Sequence, residues 1–541
     1  MSNLLEKASI LLTPTAYDDG RILSVKPSIV LGSELVTNGD FASPDISMIT
    51  GAGVRSIVNG ELKIEESGLN YSQVIYSNIL DSNKIYKATF DITLGTGSYV
   101  VYNTTNGSIN ITESGTHTFY LQNTNRFYVG SNGVGDVWYM DNISVKEDLS
   151  GDFDFTRNSS ATRVNSQGLI EDITSNLPRI DYSPYSGAGT CGHWLFEPQS
   201  TNLVEYSEDL SQSSWIKQSA GAASTPSVTP NFAISPEGTQ SASRVVFDLN
   251  GGTTSSDFSQ LQENISGTVG NDYTSSVYLK SNNSNTYSVT FIPVSGSTTI
   301  VTVTPEWQRF SLSATLASAN LRIRTRGSEG SSDVTDILIW GAHVEQQSFA
   351  TSYIPTSGST VTRSQEAAFG SGNSSLINST EGTLYAEIAA LQQRPDFRTD
   401  IALSDGTSAG NVVRIHHLNT SDNAIRVQVR SGGAITVSVS TTVTDTRDFH
   451  KIAISYKVNE VKFYIDGVLV NTDTSAAMPI GLNQLSFSAG NDTQNKFYGK
   501  TKCVAVFKEA LTDDELECLT SDETSFSSFN ALALANNYTI I

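Results

Sequence analysis

The chain has 541 residues, 16 % of them charged and 9 % aromatic, and it carries a net charge of −22, with 33 basic against 55 acidic side chains. A chain of that length exceeds one hydrophobic core, and about three or four units are expected. The acidic balance repels phosphate backbones and argues against a nucleic-acid partner, and no run reaches the roughly 18 apolar residues that a membrane-spanning helix needs.

The opening, MSNLLEKASILLTPTAYDDGRILSVKP, reads as a mostly extended arm over residues 1–31. SNLLEKA suits one helical turn, TPTAYDDG is turn chemistry, and RILSVKP is a short strand stopped by proline. No basic stretch precedes a long apolar one, so no signal peptide is expected. Cys191, Cys503 and Cys518 are too few and too scattered for a disulfide framework, which fits a reducing folding compartment.

Over 32–148, KIYKATFDITLG, GTHTFYLQN, NRFYVGS and VWYMDNISVKE alternate apolar and polar side chains between Gly, Asn and Ser turns, as antiparallel strands with one buried face do. Residues 149–199 form a connector, GDFDFTRNSSATRVNSQGLIEDITSNLPRIDY, with no helical period. Its Arg157 and Arg163 are expected to be structural, donating to carbonyls or pairing with Asp152, Asp154, Glu171 or Asp172. The order of strands in 32–148 returns over 200–365: NDYTSSVYLKSNN corresponds to NKIYKATFDITLG, EWQRFSLSAT to GTHTFYLQNT, and DVTDILIWGAHVEQ to GDVWYMDNISVKE. Two copies of one β-module are therefore expected. Residues 366–520 hold longer strands, among them HKIAISYKVNEVKFYIDGVLVNT, where VN and then Asp466–Gly467 mark hairpin turns. Thr512 and Glu515 fit a capping box that opens one short helix. The apolar segment 521–541 is expected to dock on something.

Catalytic patterns are scarce. A glycosidase needs two carboxylates across a cleft, and β-glucan-cleaving sandwiches carry them two apart on one strand. Here YAEIAAL offers only Glu387 and FYIDGV only Asp466. GTSAG matches a nucleophile elbow in letters, but strand follows where a helix is required, so Ser408 is expected in a hairpin turn. Adjacent His416 and His417 point to opposite faces of a strand and cannot share a metal. No catalytic residue is expected. Sugar-stacking candidates are Tyr71, Tyr76, Tyr99, Tyr102, Trp215 and Tyr273, whereas Trp138 and Trp340, inside apolar strands, are expected in cores. Calcium is a possible cofactor, with Asp40, Asp141, Asp336 and Asp466 as its candidate ligands.

ELVTNGDF…DNISVKE resembles the opening and closing signature of carbohydrate-binding jelly-roll modules. TNLVEYSEDLSQSSWIKQ…IWGAHVEQQSFATSYIPTSGSTVTRSQE resembles a second module of phage fibre proteins, and HKIAISYKVNEVKFYIDGVLV…CVAVFKEALTDDEL resembles laminin-G or concanavalin-like lectin sandwiches. The arm together with FTRNSSATRVN resembles virion fibre proteins of tailed phages infecting Bacteroidetes, crAss-like phages included. That resemblance implies an all-β fold: tandem antiparallel sandwiches, jelly-roll and concanavalin-like, with an extended N-terminal arm and one short C-terminal helix. It implies that 32–148 is an insertion between Pro27 and Gly151. It further implies a non-enzymatic virion protein, made in the bacterial cytoplasm, anchored to another virion protein by its arm, trimeric by family analogy, and attached to host surface glycans. A capsule-degrading depolymerase and a spacer without glycan binding are the alternatives.

Overall fold

The computed structural model describes residues 2–521 apart from 28–30, 83, 105–106, 122–123, 185, 188, 295, 318–319, 397, 408–409 and 491–494. The protein is all-β, with antiparallel pairing throughout its named strands; among the described residues helices stand only at Ser2–Lys7, in a single 3-10 turn and at Asp513–Thr520. The docking segment expected over 521–541 and the turn expected at Ser408 lie outside the described residues, Ser521 excepted.

The first sandwich buries Trp138, Phe90 and Phe127, and the second buries Trp215, Phe247 and Phe291. Their repeat is visible in the sheets. In the first, Val54–Val58, Glu61–Glu65, Val137–Asp148, Tyr86–Thr93 and Gly115–Leu121 are successive neighbours. In the second, Ser224–Ala233, Ala242–Asp248, Val334–Glu345, Asp272–Ser281 and Gln308–Thr315 follow the same order. The similar alternation that marks these segments thus builds one arrangement twice.

The third sandwich faces an eight-stranded sheet against a five-stranded one, around Leu384, Ile401, Val413, Val427, Phe463 and Phe487. Its strands are not confined to the C-terminal third of the chain. Ala8–Leu12 pairs with Gly499–Phe507 over residues 504–507, and His193–Phe196 pairs with the same strand over 499–501. Arm and connector therefore complete one edge of this sheet in succession. The arm was expected to be mostly extended and to hold the chain to another virion protein. Instead Ile10, Leu11 and Leu12 are buried, and Lys7 forms ion pairs with Glu509 and Glu515 at 2.9 and 2.6 Å. The physical reason lies in its composition: ASILL is apolar at four of its five positions, and the hydroxyl of Ser9 is bonded to the Leu376 and Val506 carbonyls, so the strand gains more from sheet pairing and burial than from solvent.

Both jelly rolls leave and rejoin this sandwich at neighbouring points. A side chain on Gly151 would meet Pro27 at 3.1 Å, and Ser200–Asn202 pairs with Val361–Arg363. Each junction is held by buried charge. At the first, Arg21 pairs with Asp148, Asp152 and Asp154 and lies 4.1 Å from the centre of the Tyr120 ring. At the second, Arg157 meets Glu366 at 2.9 Å, Arg179 meets both Glu366 and Glu197, and Arg363 meets Glu197 at 2.7 Å. Arg157 also donates to the carbonyls of Ser159 and Thr174. It is structural, as expected, although its carboxylate comes from 209 residues away; Arg163 takes the nearby Glu171.

The C-terminal helix starts with the expected capping box, Thr512 Oγ1 accepting from Glu515 N. Asp466 and Gly467 sit in the expected turn with φ of 49° and 81°. In the second sandwich, burial pushes the Glu263 carboxyl up to about 7 against the hydrogen bonds it accepts, and its Oε2 has no protein partner. The folded state then holds a proton that the unfolded chain has released, so stability should fall as pH rises from 4.5 towards 7. Glu263→Gln is expected to remove that slope and to raise stability at pH 8 by about 1–2 kcal/mol, measured by urea unfolding.

Candidate functional site

The five-stranded sheet of the third sandwich turns one face to the core and presents a second, polar face. Ile401 and Leu403, Val413 and Ile415, and Ile425, Val427 and Val429 enter the core. Because side chains alternate, the intervening positions share the other face. The register aligns Asp400, His416 and Arg426 in one rung; Ala402, Arg414, Gln428 and Ser438 in the next; and Ser404, Val412 and Arg430 in a third. Arg398 reaches the same cluster from just before the strand.

Asp400 is the sole carboxylate in these rungs. Its Oδ1 accepts from Arg398 Nε at 2.9 Å and its Oδ2 from Arg414 Nη1 at 3.1 Å. Burial pushes the Asp400 carboxyl up to about 6 in spite of both guanidiniums, and burial lowers Arg414 to about 10. Arg414 donates in turn to Gln428 Oε1, and Gln428 to Ser438 Oγ at 3.4 Å. His416 is buried between these cations, and desolvation keeps it neutral. Arg426 and Arg430 stand further along the face; among the described residues neither has an ion-pair partner, and Arg430 donates to the Gly433 carbonyl at 2.7 Å. Donors remain without a protein partner at Arg414 Nε, Arg426 Nε and Arg430 Nε, and both His416 nitrogens are likewise unmatched. In a chain of net charge −22, this is a local concentration of cationic, fork-shaped donors with an amide beside them. Asp400, Arg414, His416 and Gln428 are each at most 4 % exposed, whereas Arg426 and Arg430 are partly exposed, and those two guanidinium forks can hold oxygen-rich anionic groups bidentately.

The candidates proposed for sugar stacking are not gathered here. Tyr76, Tyr99, Trp215 and Tyr273 are each 1 % exposed, so no ring face is open to a ligand. They are core residues: Tyr76 packs on Phe127, Tyr99 donates to Asp136 Oδ2 at 2.6 Å, Trp215 donates to the Tyr206 carbonyl at 2.8 Å, and Tyr273 Oη accepts from Thr268 N. Tyr71 is 42 % exposed and stands in the first sandwich. Tyr102 lies in Tyr99–Thr104, and its side chain is outside the described residues. Trp138 and Trp340 are core, as expected. The four aspartates considered for calcium are divided among three sandwiches, Asp40 and Asp141 in the first, Asp336 in the second and Asp466 in the third. Asp40 accepts from Ala42 N and Asp141 from Asn142 N, while Asp336 is held by Arg244 at 2.7 Å and Asp466 by His450 at 2.6 Å. Among the described residues no three His, Cys, Asp or Glu side chains form a metal-holding group, and no helix is long and apolar enough to cross a membrane. Glu387 is buried on the opposite sheet, 3.8 Å from Lys502.

The two packed antiparallel sheets form a concanavalin-like sandwich. Residues 363–517 match the concanavalin A-like lectin/glucanases superfamily. No curated protein matches the chain. Among solved structures, a leech intramolecular trans-sialidase is 17 % identical at a TM-score of 0.24, covering 27 % of this chain and 24 % of its own. The chain thus spans about a quarter of that enzyme. The CBM40 of a Ruminococcus gnavus IT-sialidase, bound to α2,3-sialyllactose, is 15 % identical at 0.24, covering 28 % and 94 %. Domain 4 of the Geobacillus stearothermophilus arabinanase AbnA, in complex with arabinotriose, is 16 % identical at 0.23, covering 29 % and 73 %.

Proposed function

We propose that this protein binds glycans without transforming them, and that the arginine face of the five-stranded sheet receives an acidic saccharide. The observation that carries the reading is that Arg426 and Arg430, partly exposed and without an ion pair among the described residues, stand on one sheet face beside the Arg398–Asp400–Arg414 cluster, within a segment that matches a lectin superfamily. Guanidinium forks bond carboxylate or sulfate oxygens in pairs, and the exposed Ser438 offers a partner for a hydroxyl. The test is a glycan array with the full chain. Acidic glycans should score, and the double variant Arg426→Gln/Arg430→Gln should bind at least about tenfold more weakly with an unchanged melting temperature, since neither arginine holds an ion pair. Retained binding in that variant would overturn the site. Release of reducing ends from host capsule would overturn the non-enzymatic part and favour a depolymerase.

The finer reading is a fibre or appendage of a tailed-phage virion, assembled as a homotrimer that multiplies weak glycan contacts. The arm and connector motifs quoted above support it. Anchoring through the arm is not part of it, because the arm's strand is engaged within its own chain. Antibody labelling of virions in negative-stain images should place the chain on the particle; unlabelled particles would refute this.

A further inference from the structure

The connector hairpin, the second sandwich and the third enclose a cavity of about 420 Å³, within the range of small-molecule sites. Arg163, Arg309, Arg447 and Lys500 line it, against Asp181 and Glu197. Both carboxylates are engaged. Glu197 lies 2.7 Å from Arg363 and 2.9 Å from Arg179, and Asp181 accepts from the backbone N–H groups of Val164 and Ser183 at 2.8 and 2.7 Å. Arg163 and Arg447 are matched by Glu171 and Asp445 at 2.7 and 2.6 Å.

Arg309 and Lys500 remain without an ion pair, and the Asp181 carboxylate, whose own partners are neutral donors, offsets the charge of Lys500 in part. Arg309 gives Nη2 to Ser276 Oγ at 3.0 Å, its Nε is buried without a protein partner, and its guanidinium lies 5.5 Å from the centre of the Tyr278 ring. Lys500 gives Nζ to the Ser183 carbonyl at 3.2 Å. Among the described residues neither forms an ion pair. They belong to different sandwiches: Arg309 stands opposite Tyr278 in the second, and Lys500 between Ala389 and Leu195 in the third. The cavity therefore keeps an excess of positive charge, and partly burying it costs free energy that an anion beside Arg309 and Lys500 would offset.

We propose that this inter-sandwich cavity is a second binding site, for a carboxylated sugar of monosaccharide size, a hexuronate, whose carboxylate lies between Arg309 and Lys500. It shares no residue with the arginine face. Calorimetry on the full chain with glucuronate tests it, with glucose and sulfate as reference ligands. Glucuronate should bind more tightly than either. Lys500→Gln and Arg309→Gln should each weaken it at least tenfold while each variant keeps its cooperative thermal transition, and Arg426→Gln/Arg430→Gln should leave it unchanged. Equal binding of glucose would remove the role of the carboxylate, and equal binding of sulfate would reduce the cavity to a general anion site. Glucuronate affinity untouched by both single substitutions would overturn the assignment, whereas loss only in the Arg426/Arg430 variant would assign all binding to the sheet face.

Discussion

Glu366→Gln is expected to cost about 3–5 kcal/mol of stability, measured by denaturant unfolding at pH 7. Arg157, Arg179 and Arg363 are each at most 1 % exposed, and Glu366 and Glu197 are the carboxylates that face them. The substitution keeps the shape of the side chain and removes its charge, leaving three enclosed guanidiniums around one anion. The second carboxylate adds a pH signature. Burial raises the Glu197 carboxyl, but Arg363 and Arg179 outweigh it and hold the group at about 2, below its ordinary 4.5. Its contribution is therefore complete above pH 4.5 and disappears as pH falls towards 2. Melting curves of the wild-type chain between pH 6 and pH 2.5 should show that loss, and Glu197→Gln should flatten it. A Glu366→Gln chain as stable as the wild type would mean that the network contributes nothing.

Arg21→Met should act on one junction and leave the other intact. Asp148, Asp152 and Asp154 converge on this one guanidinium, and Tyr120 of the first sandwich covers it. Methionine fills similar apolar space but leaves three carboxylates in mutual repulsion, at a cost of about 3–5 kcal/mol. Amide exchange should rise around residues 21–27 and 148–154 well before it rises in the second sandwich. Uniform destabilisation of the whole chain would show that the first sandwich does not move independently of the rest.

The strand content was legible because its cause is local. Alternation, hairpin turns such as Asp466–Gly467 and the Thr512–Glu515 box are written in neighbouring residues, and the repeated strand order of the two jelly rolls follows from that same texture. Partnerships across hundreds of residues were not legible. Nothing near Arg157 names Glu366, and nothing in ASILL names the strand around Val504. Four of the six aromatic candidates, Tyr76, Tyr99, Trp215 and Tyr273, are buried for a related reason: an aromatic side chain on an alternating strand can face either way, and burial of the ring with its hydroxyl bonded inside, as for Tyr99, depends on an aspartate 37 residues on. The arginine face did leave a local trace. In AIRVQVRS, Arg426, Gln428 and Arg430 alternate with Ile425, Val427 and Val429, which already describes one oily and one cationic side. Asking where basic residues repeat at every second position, rather than where aromatics stand, would have found it.

Because each jelly roll departs and returns through adjoining strands, neither lies on the route by which the terminal sandwich closes its own sheets. Pro27 meets Gly151, and Ser200–Asn202 runs beside Val361–Arg363. The scaffold thus works like a socket board: the strand pairings of the terminal sandwich close without either cassette, and what each cassette shares with the board is the buried charge at its plug.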